Sequence, residues 1–155
     1  MTPGINIAKR KGIVYTVHEY IHEPSAESYG QEAALKMGVE EAKVFKTLVV
    51  ELESKELVVG VIPVSSMLNL KSIAKAAGAK KATMADKKDV ERATGYVLGG
   101  VSPLGQKKRL RAYIDSTALD HTTIFVSAGR RGLEIELSPR DLVILVSGVV
   151  DQLCQ

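Results

Sequence analysis

The stretch GGVSPLGQKK, residues 99–108, stands one residue away from the phosphate-loop pattern G-x-x-x-x-G-K-[ST]. Gly100 and Gly105 have the required spacing, but Gln106 takes the lysine position and Lys107 and Lys108 come one step late. A phosphate loop runs from a buried strand into a helix whose N-terminal amides hold the phosphates. Here the short GYVL precedes the loop and RLRAYID, a strand pattern, follows it, so the context argues against a nucleoside triphosphate. Gly99 and Gly100 would still let backbone approach a ligand closely, and Pro103 would stiffen the loop. Two readings stand: a wall of fixed N–H donors for an oxyanion, or a connection that needs glycines for its turns.

Lys46 is the second candidate. It lies in VFKTLVV, among the most apolar stretches of the chain. A lysine there is either a fixed cation in a partly desolvated pocket or a guard against strand-edge aggregation. Tyr20 ends the preceding strand pattern and either reaches the same pocket or packs in the core with its hydroxyl at the surface. Other constellations are weaker. His18, His22 and His121 lie on different elements, and His18 and His22 would share a face only on a helix, so surface histidines are expected and no metal site. No G-x-S-x-G elbow is present, and Cys154 is expected on a frayed C-terminal tail. Basic residues gather at Lys71, Lys75, Lys80, Lys81, Lys87 and Lys88, at Lys107, Lys108, Arg109 and Arg111, and at Arg130 and Arg131. Such clusters suit a phosphate backbone or a solvated lysine face equally.

The elements that must position these residues are well punctuated. Thr2, Pro3 and Gly12 bound a first helix, residues 28–38 read as a second that ends at Gly38, and residues 69–78 as a third that ends at Gly78. Asp86 and Gly95 bound a fourth; Ser138, Pro139, Asp141 and Gly148 bound the last. IVYTVHEY, VFKTLVVEL, ELVVGVIPV, RLRAYID and TIFVSAG read as strands, the second and third as a hairpin around ESK. LEIEL alternates apolar and acidic residues and reads as a half-exposed strand. These signals predict one compact α/β domain, residues 1–155, with a mixed or antiparallel sheet. The composition, 45% hydrophobic and 25% charged, suits a folded globular chain. No apolar run reaches membrane-spanning length, one cysteine excludes an internal disulfide, and both facts point to the cytoplasm. A net charge of +3 permits a polyanionic partner without requiring one. No exposed apolar helix stripe is evident, which favours a monomer.

HEY at 18–20, FKTLVV at 45–50, KKATMADKKDVERATGYVLGGVSPLGQKKRL at 80–110, STALD and IFVSAGRRGLEIELSP together resemble the YbaK/EbsC family. Its members are free-standing relatives of the editing domain inserted in bacterial prolyl-tRNA synthetases, and the similarity runs over essentially the whole chain. The resemblance implies an α/β fold with a mixed, largely antiparallel, barrel-like sheet and flanking helices. It implies an aminoacyl-tRNA deacylase that clears cysteine from tRNA(Pro) without metal or cofactor, after or together with prolyl-tRNA synthetase. It makes Lys46 the residue most tied to activity, with Tyr20 and Ser127 in the pocket. Gly99, Gly100, Val101, Ser102 and Pro103 would line that pocket and meet the 3′ end of the tRNA. Lys80, Lys81, Lys107, Lys108 and Arg130 become candidates for its backbone. In cysteine-specific members the substrate's own thiol is the expected nucleophile. A sister activity on Ala-tRNA(Pro) and a non-catalytic tRNA- or synthetase-binding module are the alternatives.

Overall fold

The computed structural model describes residues 1–26 and 28–155. Helix ends follow local chemistry closely. In α1 (Pro3–Lys11) the Thr2 hydroxyl accepts the Ile5 N–H, and Gly12 closes the helix at φ 69°. α2 (Tyr29–Met37) starts on Ser28 and stops at Gly38. α3 (Leu70–Ala76) is capped by Asn69, whose side chain accepts from Lys71 and Ser72. α4 (Lys87–Thr94) ends at Gly95, although Asp86 at its cap position makes no capping bond. α5 (Pro139–Val146) begins at Ser138 as expected, but the left-handed residue that ends it is Ser147, φ 51°. Gly148 is needed for packing instead: a Cβ there would lie 2.9 Å from Ile114 Cδ1.

The strands are β1 (Tyr15–Glu19), β2 (Phe45–Leu52), β3 (Leu57–Pro63), β4 (Ala82–Met84), β5 (Arg111–Asp115), β6 (Ile124–Arg130), β7 (Leu133–Leu137) and β8 (Val149–Asp151). β4 and β8 are too short for periodicity to reveal, and both are sheet edges. One sheet has the order β1-β7-β6 and is antiparallel. The other, β4-β2-β3-β5-β8, is mixed: β2 pairs antiparallel with β3 and β4, while β5 lies parallel to β3 and β8. The fold is therefore the mixed, largely antiparallel α/β type expected, but the sheet is not a closed barrel. The two sheets meet at a bridge between Val44 and Phe125.

Between the sheets lies a core built on Phe45, Val49, Val61, Ile114, Ile124, Val126 and Ile135. Alternation sends Val50, Val58, Ile62 and Tyr113 to the opposite face of the larger sheet, where Leu68, Ile73 and Leu153 cover them. The sheet is thus buried on both faces, as the continuous apolar runs of β2 and β3 require. Ala33 and Ala34 of α2 pack with Val44, Val64 and Phe125 over the seam where the sheets join.

The end of the chain is docked, not frayed. Leu153 is fully buried, its N–H donates to Asp115 Oδ1 at 2.8 Å, and its carbonyl accepts the Asn69 N–H at 2.7 Å. Asp115 also accepts the Thr117 hydroxyl and N–H. Burial pushes its carboxyl up, but these donors outweigh burial and hold it below the ordinary value.

Candidate active site

A cavity of about 310 Å³ opens beside the seam between the sheets. Lys46 and Thr47 reach it from the start of β2, Tyr20 from the end of β1, Ser127 from β6 and Glu134 from β7. Tyr29 at the start of α2 and the loop residues Leu98, Gly99 and Val101 complete the wall. Pairing explains the convergence, because the β6–β7 register sets Ser127 directly opposite Glu134. A bulge between Ser127 and Arg130 then turns the chain, with Gly129 at φ 123° donating its N–H to Ser127 Oγ at 3.1 Å.

Lys46 is partly exposed and, among the described residues, forms no ion pair. Thr47 holds a buried hydroxyl without a hydrogen-bond partner among them. Burial pushes the Tyr20 phenol up to about 12, helped by the carboxylates of Glu134 and Glu32, so it stays a hydroxyl donor across the working pH range. Glu134 is the residue that the sequence reading missed. LEIEL is not half-exposed: Glu134 is 7% exposed, and burial raises its carboxyl to about 8. The available signal was the hairpin itself, since whichever face Ser127 presents, its partner Glu134 presents too.

The mouth is tied together by contacts between distant segments. The Arg131 guanidinium sits 4.1 Å from the Tyr29 ring centroid and donates to the Leu98 carbonyl at 3.0 Å. His22 meets the Tyr29 ring and binds Glu32 Oε1 at 2.7 Å, while Glu32 Oε2 takes the Glu23 N–H at 2.6 Å. Burial raises the Glu32 carboxyl, but the Glu23 N–H and His22 together bring it below its ordinary value. His18 and His22 are accordingly half-buried partners of carboxylates and not simple surface residues, His18 pairing with Glu136 at 2.9 Å, while His121 meets the Phe45 ring. No cluster able to hold a metal occurs among the described residues.

The glycines of the loop serve contacts within the protein. A Cβ on Gly99, at φ 90°, would lie 2.4 Å from Arg131 Nε, and one on Gly100 would lie 2.7 Å from the Arg130 Cα. Gly100 also spends its N–H on the Val97 carbonyl at 3.0 Å. An oxyanion donor from this loop therefore has to be the Gly99 or Val101 amide. Ser102 and Pro103 are buried beneath the loop and do not line the cavity; Ser102 Oγ accepts the Leu104 N–H, and Pro103 borders a second hollow of about 190 Å³.

The basic residues do not converge on the mouth. Arg130 is beside it, against Gly100. Lys80 and Lys81 donate their backbone N–H groups to Glu53, next to β4, which pairs with Val50–Leu52. That is the far end of β2, about 20 Å along the strand from Lys46. Lys107 and Lys108 follow the glycine loop, bonded through their backbone to Thr94 and Ala93.

Among the described residues no hydrogen bond joins a hydroxyl of the cavity to a basic side chain. Cys154 is half-buried and does not line the cavity, and burial with the Asp115 charge pushes its thiol up to about 11. Cys154→Ser is expected to change turnover less than about twofold, because a thiol so rarely ionised is a poor nucleophile; a large loss in a steady-state assay would reopen the case. The arrangement sets a cation, Lys46, and a buried acid, Glu134, in the lining of one cavity.

Comparison with known proteins bears on the family and the fold. The model of the aminoacyl-tRNA editing domain matches residues 22–145. A protein of Enterococcus faecalis named "Putative Cys-tRNA(Pro)/Cys-tRNA(Cys) deacylase EbsC" is 37% identical over 147 residues, 95% of this chain and 89% of its own. A crystal structure named as that of hypothetical protein APE2540 superposes with a TM-score of 0.88 at 28% identity, over 99% of this chain and 100% of its own. Another, named as "a putative trans-editing enzyme for prolyl tRNA synthetase", gives 0.85 at 23% identity over 100% and 99% of the two chains and shares the fold.

Proposed function

The chain belongs to the aminoacyl-tRNA editing domain family, and from that premise we propose that it is a trans-acting deacylase for cysteine mischarged on tRNA(Pro), with Cys-tRNA(Cys) as a second substrate. The observation that carries this reading is a small cavity that brings Lys46, without an ion pair among the described residues, together with the hydroxyls of Tyr20, Thr47 and Ser127. An aminoacyl ester needs little activation, and cysteine brings its own nucleophile. Its sulfur attacks the carbonyl carbon, the C–S bond forms and the C–O bond to the ribose breaks. The thiol proton ends on the departing ribose hydroxyl, and a cyclic thiolactone leaves. Holding sulfur and carbonyl at contact distance supplies much of the rate, as intramolecular placement does generally.

Each residue then has a defined part. Lys46 anchors the anionic ribose–phosphate end. Tyr20, protonated throughout, donates to an ester oxygen, and the Gly99 or Val101 amide steadies the developing oxyanion. Size alone separates cysteine from alanine or serine by only about 1–3 kcal/mol, so the requirement for a thiol supplies the remaining discrimination. Prolyl-tRNA synthetase is the transient partner that releases the mischarged tRNA, and Arg130 contacts its backbone near the mouth.

Incubating the protein with Cys-, Ala- and Pro-tRNA(Pro) and following each ester tests this. Selective loss of the cysteinyl ester is expected. Equal loss of the alanyl ester would make the protein a general small-residue editor, and unchanged lifetimes with salt-dependent tRNA binding would leave only a binding module.

A further inference from the structure

Among the described residues the buried acids are Glu32, Asp115 and Glu134. Glu32 is held by His22 and the Glu23 N–H, and Asp115 by Thr117 and the Leu153 N–H. Glu134 has no ion pair among the described residues and borders the cavity. An unpaired buried carboxyl is costly to keep. Where it faces a ligand cavity, the ligand is the natural source of its partner. The groups around it do not fill that role. On β1, its register partner His18 is engaged by Glu136, and Tyr20 just after that strand is a neutral phenol; on β6 it faces Ser127. Lys46 and Thr47 of β2 share the cavity, and Glu32 of α2 is already bonded to His22 and the Glu23 N–H.

We propose that Glu134 receives the α-amino group of the aminoacyl ester, so that the protein cleaves only esters whose amine is free and spares those whose nitrogen is acylated. The inference rests on the deacylase reading above for the identity of the ester. Within that substrate the ribose–phosphate end is anionic and would be repelled by a carboxylate, while the α-ammonium is the cationic group. Lys46 and Glu134 then give the cavity a direction, anion towards β2 and amine towards β7. An acyl group on the nitrogen removes the charge and adds bulk next to a buried carboxyl.

The proton balance makes the idea measurable. The bound pair, carboxylate and ammonium, carries one proton. Free Glu134 titrates near 8, and an α-amino group near 7.7–8.0. Below about pH 7 both partners are protonated, so binding must release a proton; above about pH 8.5 neither is, so binding must take one up. Affinity is expected to peak between these limits.

Titration calorimetry of the whole protein with an amide-linked cysteinyl-adenosine, in two buffers of different ionisation enthalpy, reads this directly. Close to one proton released at pH 6 and close to one taken up at pH 9.5 are expected. The N-acetylated amide should bind about 30-fold or more weakly and show no proton exchange. Wild-type protein should spare N-acetyl-Cys-tRNA(Pro) by a similar factor relative to Cys-tRNA(Pro), and Glu134→Gln should reduce that preference to within about threefold. Equal cleavage or equal binding of the blocked and free compounds by the wild type would overturn the inference without any variant. Loss of neither ester would instead refute the deacylase reading, with the amide titration still deciding how the cavity treats an amine.

Discussion

Lys46→Ala is expected to lower deacylation of Cys-tRNA(Pro) by about 30- to several-thousand-fold while the protein unfolds at nearly the same denaturant concentration. The kinetic estimate follows from removing one partner of a partly desolvated charge pair, worth about 2–5 kcal/mol. The stability estimate follows from the surroundings of the free protein. Lys46 is partly exposed and has no ion-pair partner among the described residues. Its truncation therefore breaks no native pair, and a change within about 0.5–1 kcal/mol is the ordinary result. Rates from single-turnover assays and midpoints from urea curves test both halves. Near-wild-type turnover would remove Lys46 from the site, and coincident loss of fold and activity would make it a structural residue.

The second large effect runs in the opposite direction. Glu134→Gln is expected to stabilise the protein in alkaline solution while impairing its selectivity. The folded-state value of Glu134 lies near 8, above the ordinary 4.5. The folded protein therefore holds this proton more tightly than the unfolded chain does. The resulting stability is fully present below about pH 4.5 and is lost as pH rises to about 8. At 1.36 kcal/mol per pH unit the loss reaches at most about 5 kcal/mol. Glutamine keeps the shape and does not titrate. Wild type and variant should accordingly unfold alike near pH 4.5, and the variant should lead by several kcal/mol at pH 8.5. Urea curves at both pH values measure this, and a gap that does not vary with pH would mean that Glu134 is not buried as an acid. The cavity keeps a destabilising group that a neutral isostere would remove, a common arrangement at functional sites.

What could be read from the chain and what could not divide along physical lines. Thr2, Ser28 and Ser138 cap helices because a side-chain oxygen and an amide two or three residues on are enough to define the motif. Gly12, Gly38 and Gly95 end them because positive φ is a single-residue property. Lys46 and Tyr20 were legible as candidates from the strands they sit on and Ser127 through a family resemblance, and the structure brings them to one cavity. Glu134 was hidden because its exposure depends on a sheet face, and LEIEL has the same pattern whichever face is covered. Lys80 and Lys81 looked like companions of the site, yet the direction of β2 carries them to its far end. Cys154 looked terminal and loose, whereas a long-range bond from Leu153 to Asp115 fixes its neighbourhood. Gly99 and Gly100 suggested a ligand, but the atoms crowding them are those of Arg130, Arg131 and Tyr29.

The seam between the sheets has one more consequence. Lys46 belongs to the five-stranded sheet and Glu134 to the three-stranded one, so a molecule held by both spans the join like a rivet. Its binding energy is then spent in part on holding the two halves in register, and by mass action the loaded protein resists opening by RT ln(1 + [L]/Kd) more than the empty one. The aminoacyl end that the site would destroy is, for as long as it stays attached, a strut of the fold that destroys it.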